Sequence, residues 1–249
     1  MLPRIIPTIV VSNKAAWHTK LFKPEIYLGD PINIAKLYSD LEADEVTIFD
    51  VSKSNHLYED QTLEMLSAEV SVPISYGGGI ADLDAADRVI SHGIERLIIK
   101  VTSDASLELI KQISLKYGSQ AVIGCINYRS QDMESSRQNF NFDGNNLEAL
   151  AVRTLESGAG ELLLQDISRS GTRAGLDFLL VEKIVERTSI PIVISGGTKN
   201  LECITKAFSL GVSGVAASTV FSLATSTNAP LISYLSPKDR EVILSQHYI

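Results

Sequence analysis

One short sequence occurs twice in this chain. Residues 189–197 read S-I-P-I-V-I-S-G-G, and residues 71–79 read S-V-P-I-S-Y-G-G-G. Each copy is an apolar run that ends in glycines and precedes an amphipathic segment, which is typical of a buried parallel strand that leads through a loop into a helix. Because glycine has no Cβ, the backbone of such a loop can come close to a phosphate group.

A second pair of matching segments extends the repeat. Residues 43–54, A-D-E-V-T-I-F-D-V-S-K-S, align with residues 159–170, A-G-E-L-L-L-Q-D-I-S-R-S. Both pairs are separated by about 120 residues, which indicates two similar halves that are too long for solenoid repeats and fit four βα units each. The sequence therefore predicts a closed (β/α)8 TIM barrel built from two (βα)4 halves, with residues 1–249 as its single domain.

The apolar periodicity places the individual elements. Eight strands are predicted, at residues 4–11, 45–51, 73–76, 96–100, 121–127, 161–166, 192–195 and 214–217. Helices are predicted at 31–41, 57–70, 83–92, 105–117, 146–156, 176–188 and 201–209, the first with Asp30 as N-cap and the third ending at Gly93. Residues 12–30 show no clear periodicity and are expected to form a functional lid, and residues 128–145 a small hairpin or a mobile loop.

Composition restricts the possible partners. The net charge of −8 argues against nucleic-acid binding as a main activity, because phosphate neutralisation needs a basic surface. No apolar run approaches the roughly 20 residues that span a bilayer, so a cytoplasmic protein without membrane contact is expected. Cys125 and Cys203 lie in apolar contexts without metal-ligand spacing, which predicts two buried, reduced thiols, and no metal or cofactor is expected.

The loops after the strands are expected to carry the function, as in other barrels of this class. In the second half they offer a phosphate cradle, and the equivalent loops of the first half offer another. Glycines that only permit tight turns are the alternative interpretation. The ligand expected from two cradles is a small molecule with two phosphates. The second-half residues are Gly171, Thr172, Gly196, Gly197, Ser218 and Thr219, and the first-half residues are Gly78, Gly79, Lys100 and Thr102.

Several further segments resemble one family. They are R-I-I-P from Arg4, G-D-P from Gly29, D-E-V-T-I-F-D from Asp44, G-G-G-I from Gly77, G-S-Q-A-V from Gly118, G-A-G-E from Gly158, S-G-T-R-A-G from Ser170, S-G-G from Ser195 and V-F from Val220. In this order, they are similar to the HisF family, the cyclase subunit of imidazole glycerol phosphate synthase in histidine biosynthesis. The resemblance implies a ribotide ligand with two phosphates and a glutaminase subunit docked at the amino-terminal face of the barrel.

The chain departs from that family at the residues that carry its chemistry. The family uses two aspartates, at the ends of strands one and five, as general acid and base; the matching residues here are Val10 and Asn127. Valine cannot transfer a proton, and a neutral asparagine orients a substrate without acting as a base. The family's loop-one lysine falls near His18 or Lys20, and its acidic residue in loop six is Ser170.

Four charged residues of the family are retained. By resemblance, Arg4, Glu45, Arg96 and Glu161 match the residues that gate the ammonia path at the bottom of the barrel. The alternative is a salt-bridge cluster that simply closes the floor, because charges inside a barrel must be paired.

Three functions remain open from the sequence. The first is an ammonia-conducting partner of a glutaminase and a sugar amidotransferase of surface-polysaccharide biosynthesis, since residues 27–33, Y-L-G-D-P-I-N, and Val10 resemble HisF-like paralogues of that kind. The second is a true cyclase, a lyase in which Asp50, Asp166 or His18 transfers protons; orientation of nearby backbone N–H groups is the alternative role of the two aspartates. The third is a phosphate-ligand-binding scaffold without catalysis.

Overall fold

Eight parallel strands close into a barrel in the computed structural model, which describes residues 2–52, 60–130, 147–188 and 190–245. Around the ring the order is β10, β9, β8, β7, β6, β5, β4 and β1, and pairing of β1 with β10 closes it. The predicted (β/α)8 barrel is confirmed. The strands are β1 (Arg4–Ser12), β2 (Ala15–Lys20), β3 (Lys23–Gly29), β4 (Val46–Asp50), β5 (Ile74–Gly77), β6 (Arg96–Lys100), β7 (Val122–Tyr128), β8 (Glu161–Asp166), β9 (Ile192–Ser195) and β10 (Gly214–Ala217).

The helices follow the barrel strands, and several of them begin at a residue whose side chain accepts a hydrogen bond from the first turn. Asp30 accepts a hydrogen bond from the backbone N–H of Asn33 at 2.9 Å, which confirms the predicted first cap. The third helix ends just before Gly93, whose φ of 89° confirms the predicted stop. The helices are α1 (Pro31–Asp40), α2 (Asp60–Glu69), α3 (Leu83–Ser91), α4 (Asp104–Tyr117), α5 (Leu147–Glu156), α6 (Phe178–Val185), α7 (Leu201–Ser209), α8 (Thr219–Ser222) and α9 (Pro237–Ser245).

Residues 12–30, which were expected to form a functional lid, contain two antiparallel strands beside β1, namely β2 and β3, that the sequence did not predict. Both connecting turns have two residues with positive φ, Asn13 and Lys14 at 51° and 66° and then Leu21 and Phe22 at 50° and 63°. Such turns fit the twist of a hairpin but usually contain asparagine and glycine. We call β2, β3 and the turn between them the β2–β3 hairpin.

Two apolar clusters separate the inside of the barrel from its outside. The large cluster contains alternate strand residues together with the buried faces of the helices. The small one contains strand residues only, so it fills the barrel lumen. Its buried members are Ile6, Phe49, Ile98, Ile123, Cys125, Leu163, Val193 and Ala216.

Some predictions fall on segments that the structure does not describe. They concern the start of the second helix near residue 57 and most of the loop at 128–145, of which residue 128 belongs to β7. Within the described segments, no helix is both long and apolar enough to cross a membrane.

Candidate functional site

Val10 and Asn127 face the lumen from opposite sides of its mouth. Side chains alternate along a strand, and Ile6 on β1 and Cys125 on β7 belong to the lumen cluster, so Val10 and Asn127 point the same way. The carboxamide oxygen of Asn127 accepts a weak hydrogen bond from the Cys125 thiol, with a Sγ to Oδ1 distance of 3.4 Å. An apolar side chain and a neutral amide therefore occupy the two positions where the resembling family has carboxylates.

Asp50 ends β4 with its side chain turned away from the lumen. Its neighbour Phe49 belongs to the lumen cluster, so strand alternation directs the Asp50 carboxylate outward. There Oδ1 accepts the backbone N–H of Ser52 at 2.9 Å, and Oδ2 lies 3.5 Å from the Tyr76 hydroxyl. These contacts favour a structural role for this carboxylate.

Asp166 at the end of β8 is fully buried and also faces outward, because Leu163 lies in the lumen. Its Oδ1 accepts the backbone N–H and the hydroxyl of Ser168 at 2.9 and 2.6 Å. Its Oδ2 accepts the Ser130 hydroxyl and lies 3.3 Å from Nε of Arg169. A carboxylate with four donors has little remaining capacity to accept a substrate proton, so the orienting role is again favoured.

The predicted second-half cradle forms one cavity at the mouth. Gly196 and Gly197 have φ of 104° and 90°, and a Cβ there would lie 2.3 and 2.4 Å from carbonyl oxygens of neighbouring loops. Only glycine permits this close approach of backbones. Thr172 lies instead in a neighbouring groove. The predicted residues that line the cavity are Gly171, Gly196, Gly197, Ser218 and Thr219.

Several residues that line this cavity were not predicted, among them four that bear on its polarity and its cover. Thr8 on β1 and Thr198 after β9 have buried hydroxyls without a hydrogen-bond partner among the described residues. Thr19 and Phe22 of the β2–β3 hairpin cover the cavity, whereas the predicted loop-one residues His18 and Lys20 do not line it. The Leu21 N–H donates to the Ser170 carbonyl at 2.9 Å, which holds the hairpin tip against the loop after β8. Hydroxyl orientation depends on tertiary packing, so the sequence carried no signal for Thr8 and Thr198.

The first-half loops repeat part of this geometry. Gly78 and Gly79 have φ of 131° and 69°, and a Cβ on Gly78 would lie 2.3 Å from the Asp50 carbonyl oxygen. Gly196 makes the same approach to Asp166, so the two halves share this close contact. Lys100 ends β6 on the lumen side and is exposed. The backbone N–H of Thr102 donates to the Ser106 hydroxyl at 3.0 Å, so this N–H is already engaged.

A ring of four charges closes the lower end of the lumen. Arg4 contacts both Glu45 and Glu161, and Arg96 lies 2.8 Å from Glu45 and 3.1 Å from Glu161. Both glutamates are almost completely buried. Burial alone would lower the pKa of Arg96, but the two carboxylates outweigh it and raise that pKa above its ordinary value. All four predicted gate residues thus form one alternating ring, which we call the floor ring.

The lumen above the floor ring combines apolar packing with small and polar residues. The hydroxyls of Thr47 and Ser75 bond to each other at 2.7 Å. Gly77 and Gly214 contribute no side chain to the lumen. A Cβ at either position would lie only 3.0 to 3.1 Å from a neighbouring side chain. Burial raises the pKa of Cys125 to about 12, with Lys100 opposing the shift, so this thiol stays protonated at neutral pH.

In the described part of the chain, no group of His, Cys, Asp and Glu side chains is arranged to hold a metal ion.

Comparison with known proteins shows the family of the chain. The model of a family described as "Histidine biosynthesis protein" matches residues 4–226. Relatives from Leptospira borgpetersenii and Leptospira interrogans, both named "Putative imidazole glycerol phosphate synthase subunit HisF", are 34% and 31% identical, and each alignment covers 97% of this chain and 98% of the relative. The "Imidazole glycerol phosphate synthase subunit HisF" of Thermotoga sp. (strain RQ2) is 31% identical over 78% of both chains.

Proposed function

The chain belongs to the histidine biosynthesis protein family, among its HisF members, and from this premise we propose that it conducts ammonia for another enzyme. In this proposal a glutaminase docks at the floor of the barrel, and ammonia released there passes through the lumen to an acceptor at the mouth. One observation carries the proposal. The floor ring of Arg4, Glu45, Arg96 and Glu161 is complete, while Val10 and Asn127 stand at the two catalytic positions.

The floor ring supports a gating role because buried ion pairs stabilise a closed barrel floor no better than apolar side chains would. Burying four charges costs several kcal/mol per ion before pairing, and apolar side chains of similar volume would often give equal or higher stability. Apolar side chains would therefore suffice if the floor only had to be closed. Retention of the ring therefore fits a floor that opens when a partner rearranges the ion pairs.

The lumen suits neutral ammonia and excludes its protonated form. Its wall is largely apolar, with the Thr47 and Ser75 hydroxyls and the unpartnered hydroxyl of Thr8 as hydrogen-bonding groups along the way. Moving an ammonium ion into such surroundings without a counterion costs far more than moving a small neutral molecule. Ammonia could exchange hydrogen bonds with these hydroxyls as it moves from the floor to the mouth.

The mouth gives little support to the cyclase alternative. Ammonia addition and ring closure require a proton donor and a proton acceptor on opposite sides of the substrate. Val10 has no titratable group, Asn127 is neutral, and the contacts of Asp50 and Asp166 turn their carboxylates away from the lumen. Cys125 stays a protonated thiol at neutral pH.

The acceptor we propose is an acetamido sugar of surface-polysaccharide biosynthesis, amidated by a separate amidotransferase. This part rests on the resemblance of residues 27–33 and Val10 to HisF-like paralogues of such pathways. The cradle of Gly171, Gly196 and Gly197 would hold a phosphate of the acceptor or of a regulatory ligand. The scaffold alternative keeps this phosphate ligand but has no ammonia traffic.

The test measures how much of the nitrogen in the product comes from glutamine. The full chain is combined with a HisH-type glutaminase and a sugar amidotransferase, and [amide-¹⁵N]glutamine is supplied against an excess of unlabelled ammonium. We expect ¹⁵N to predominate in the product, because channelled ammonia does not mix with the solvent pool. Glu161→Gln should lower the ¹⁵N fraction, and Glu148→Gln, at a partly exposed site outside the floor ring, should not. Product formation that does not depend on the barrel would support the scaffold alternative, and complete isotopic mixing would refute channelling.

A further inference from the structure

A second groove lies behind the β2–β3 hairpin, outside the lumen. It runs between this hairpin, the loop after β8 and residues 223–228, and it encloses about 400 Å³. Thr19 of β2 lines the lumen cavity, whereas His18 and Lys20 on either side of it line the groove. The two sites share Gly171 and Thr219, so they are neighbours separated by the hairpin.

The groove carries more positive than negative charge. Lys20 is exposed, and neither Lys20 nor Arg173 forms an ion pair with any residue that the structure describes. The guanidinium of Arg173 donates instead to neutral oxygens, the Asn228 carboxamide at 2.9 Å and the carbonyls of Leu223 and Thr219 at 2.9 and 3.3 Å. These bonds orient the cation without neutralising it. Glu25 is the single carboxylate among the described residues that line the groove.

The wall of the groove contains two unsatisfied nitrogen atoms. His18 is 4% exposed, and its Nδ1 has no hydrogen-bond partner among the described residues; Nε of Arg173 is in the same condition. A buried polar atom without a partner costs about 1–3 kcal/mol, so proteins rarely leave two together without a reason. A ligand that supplies negative charge would compensate both groups.

We propose that this groove binds a small oxyanion, such as the phosphate group of a metabolite, between Lys20 and Arg173 with His18 in the wall. This site is distinct from the lumen cradle, and it does not depend on the function proposed above. Charge-assisted contacts from lysine and arginine are the usual means of holding such groups. A ligand here would connect the hairpin to the loop after β8 and thereby hold Thr19 and Phe22 over the cradle.

His18 provides a local probe. Burial lowers its pKa from 6.5, with Arg173 and Lys20 acting in the same direction and Glu25 against them. The imidazole is therefore neutral at pH 7 in the free protein. An anion beside it favours the imidazolium, so binding should raise the pKa of His18.

The experiment is a titration of the full chain with inorganic phosphate, followed by NMR of the histidine side chains, with His18→Gln to assign the signal. We expect a saturable shift of the His18 signal and a higher His18 pKa in the bound state. Lys20→Gln and Arg173→Gln should each weaken this binding about tenfold, the loss of one charge-assisted contact. Arg187→Gln removes an equivalent charge from an exposed site and should change nothing.

The variants separate the groove from the cradle. Ser218→Ala alters the cradle and should leave the phosphate response of His18 unchanged within twofold. Lys20 is exposed, so Lys20→Gln tests the site without the risk to folding that attends the backbone contacts of Arg173. The proposal is overturned if the His18 signal shows no saturable shift as inorganic phosphate is added. It is also overturned if Lys20→Gln binds phosphate as tightly as Arg187→Gln does.

Discussion

Removing one carboxylate from the floor ring should destabilise the barrel strongly. Glu161 accepts hydrogen bonds from both Arg4 and Arg96, and its side chain is 4% exposed. Glu161→Gln keeps the shape but leaves two largely buried arginine side chains, 18% and 16% exposed, with Glu45 as their one remaining carboxylate in the ring. Breaking a buried ion pair in this way costs about 3–5 kcal/mol. At about 2–4 °C per kcal/mol for a chain of this size, the melting temperature should fall by roughly 6–20 °C.

The assay is urea unfolding followed by circular dichroism, in which a change of midpoint at constant slope reports the loss of stability. The matched control is Glu148→Gln. That carboxylate lies 3.6 Å from Arg187, which is 68% exposed, and its loss should change stability by less than about 0.5 kcal/mol. Equal effects of the two substitutions would refute the buried ring.

A quadruple variant separates stability from function. Replacing Arg4 and Arg96 by methionine together with Glu45 and Glu161 by leucine removes every charge of the floor ring at once. Stability should return to the wild-type level or exceed it, because no buried charge is left unpaired. Transfer of glutamine-derived nitrogen should nevertheless be lost. A quadruple variant that is as unstable as Glu161→Gln would contradict this account of the ring.

Three further predictions concern single residues. Gly196→Ala should lower the free energy of unfolding in urea by about 1–3 kcal/mol more than Gly175→Ala does. Both residues have positive φ, but only a Cβ on Gly196 would meet a backbone oxygen, at 2.3 Å. Because the pKa of His18 is lowered in the folded protein, the unfolded state takes up this proton at a higher pH than the folded state does. The free energy of unfolding should therefore fall as the pH drops below 6.5. His18→Gln should reduce that fall in unfolding measured from pH 8 to 5. Thiol titration of the native protein at pH 8 should modify Cys203 much faster than Cys125, whose buried thiol has a pKa of about 12; equal rates would contradict the burial.

The barrel was predictable because local signals and the global fold agree. The N-cap at Asp30, the helix stop at Gly93 and the repeated glycine loops each mark an element boundary that the structure reproduces. The prediction for Cys203 was less accurate, since its side chain is only partly buried. Strand positions followed from apolar runs that are buried on both faces, a pattern that survives without knowledge of tertiary contacts.

The β2–β3 hairpin was missed because its turn lacks the usual residues. Leu21 and Phe22 occupy positive-φ positions where asparagine and glycine are expected, so no turn signal separated the two strands. The directions of Asp50 and Asp166 could have been found, because strand alternation places their apolar neighbours in the lumen. The groove could not have been predicted, since Arg173 and His18 are far apart in the sequence.

The most direct test of the central claim is imidazole glycerol phosphate formation by the purified full chain, supplied with the family's ribotide and a high concentration of ammonium salt. Ammonium salt removes the need for a glutaminase, so the assay reports only the chemistry of the mouth. With Val10 and Asn127 in place of the two aspartates, we predict no turnover although the ribotide or another phosphate ligand still binds. Turnover at the rate of an ordinary HisF cyclase would contradict the account and would identify the protein as a cyclase with replacement acid and base groups.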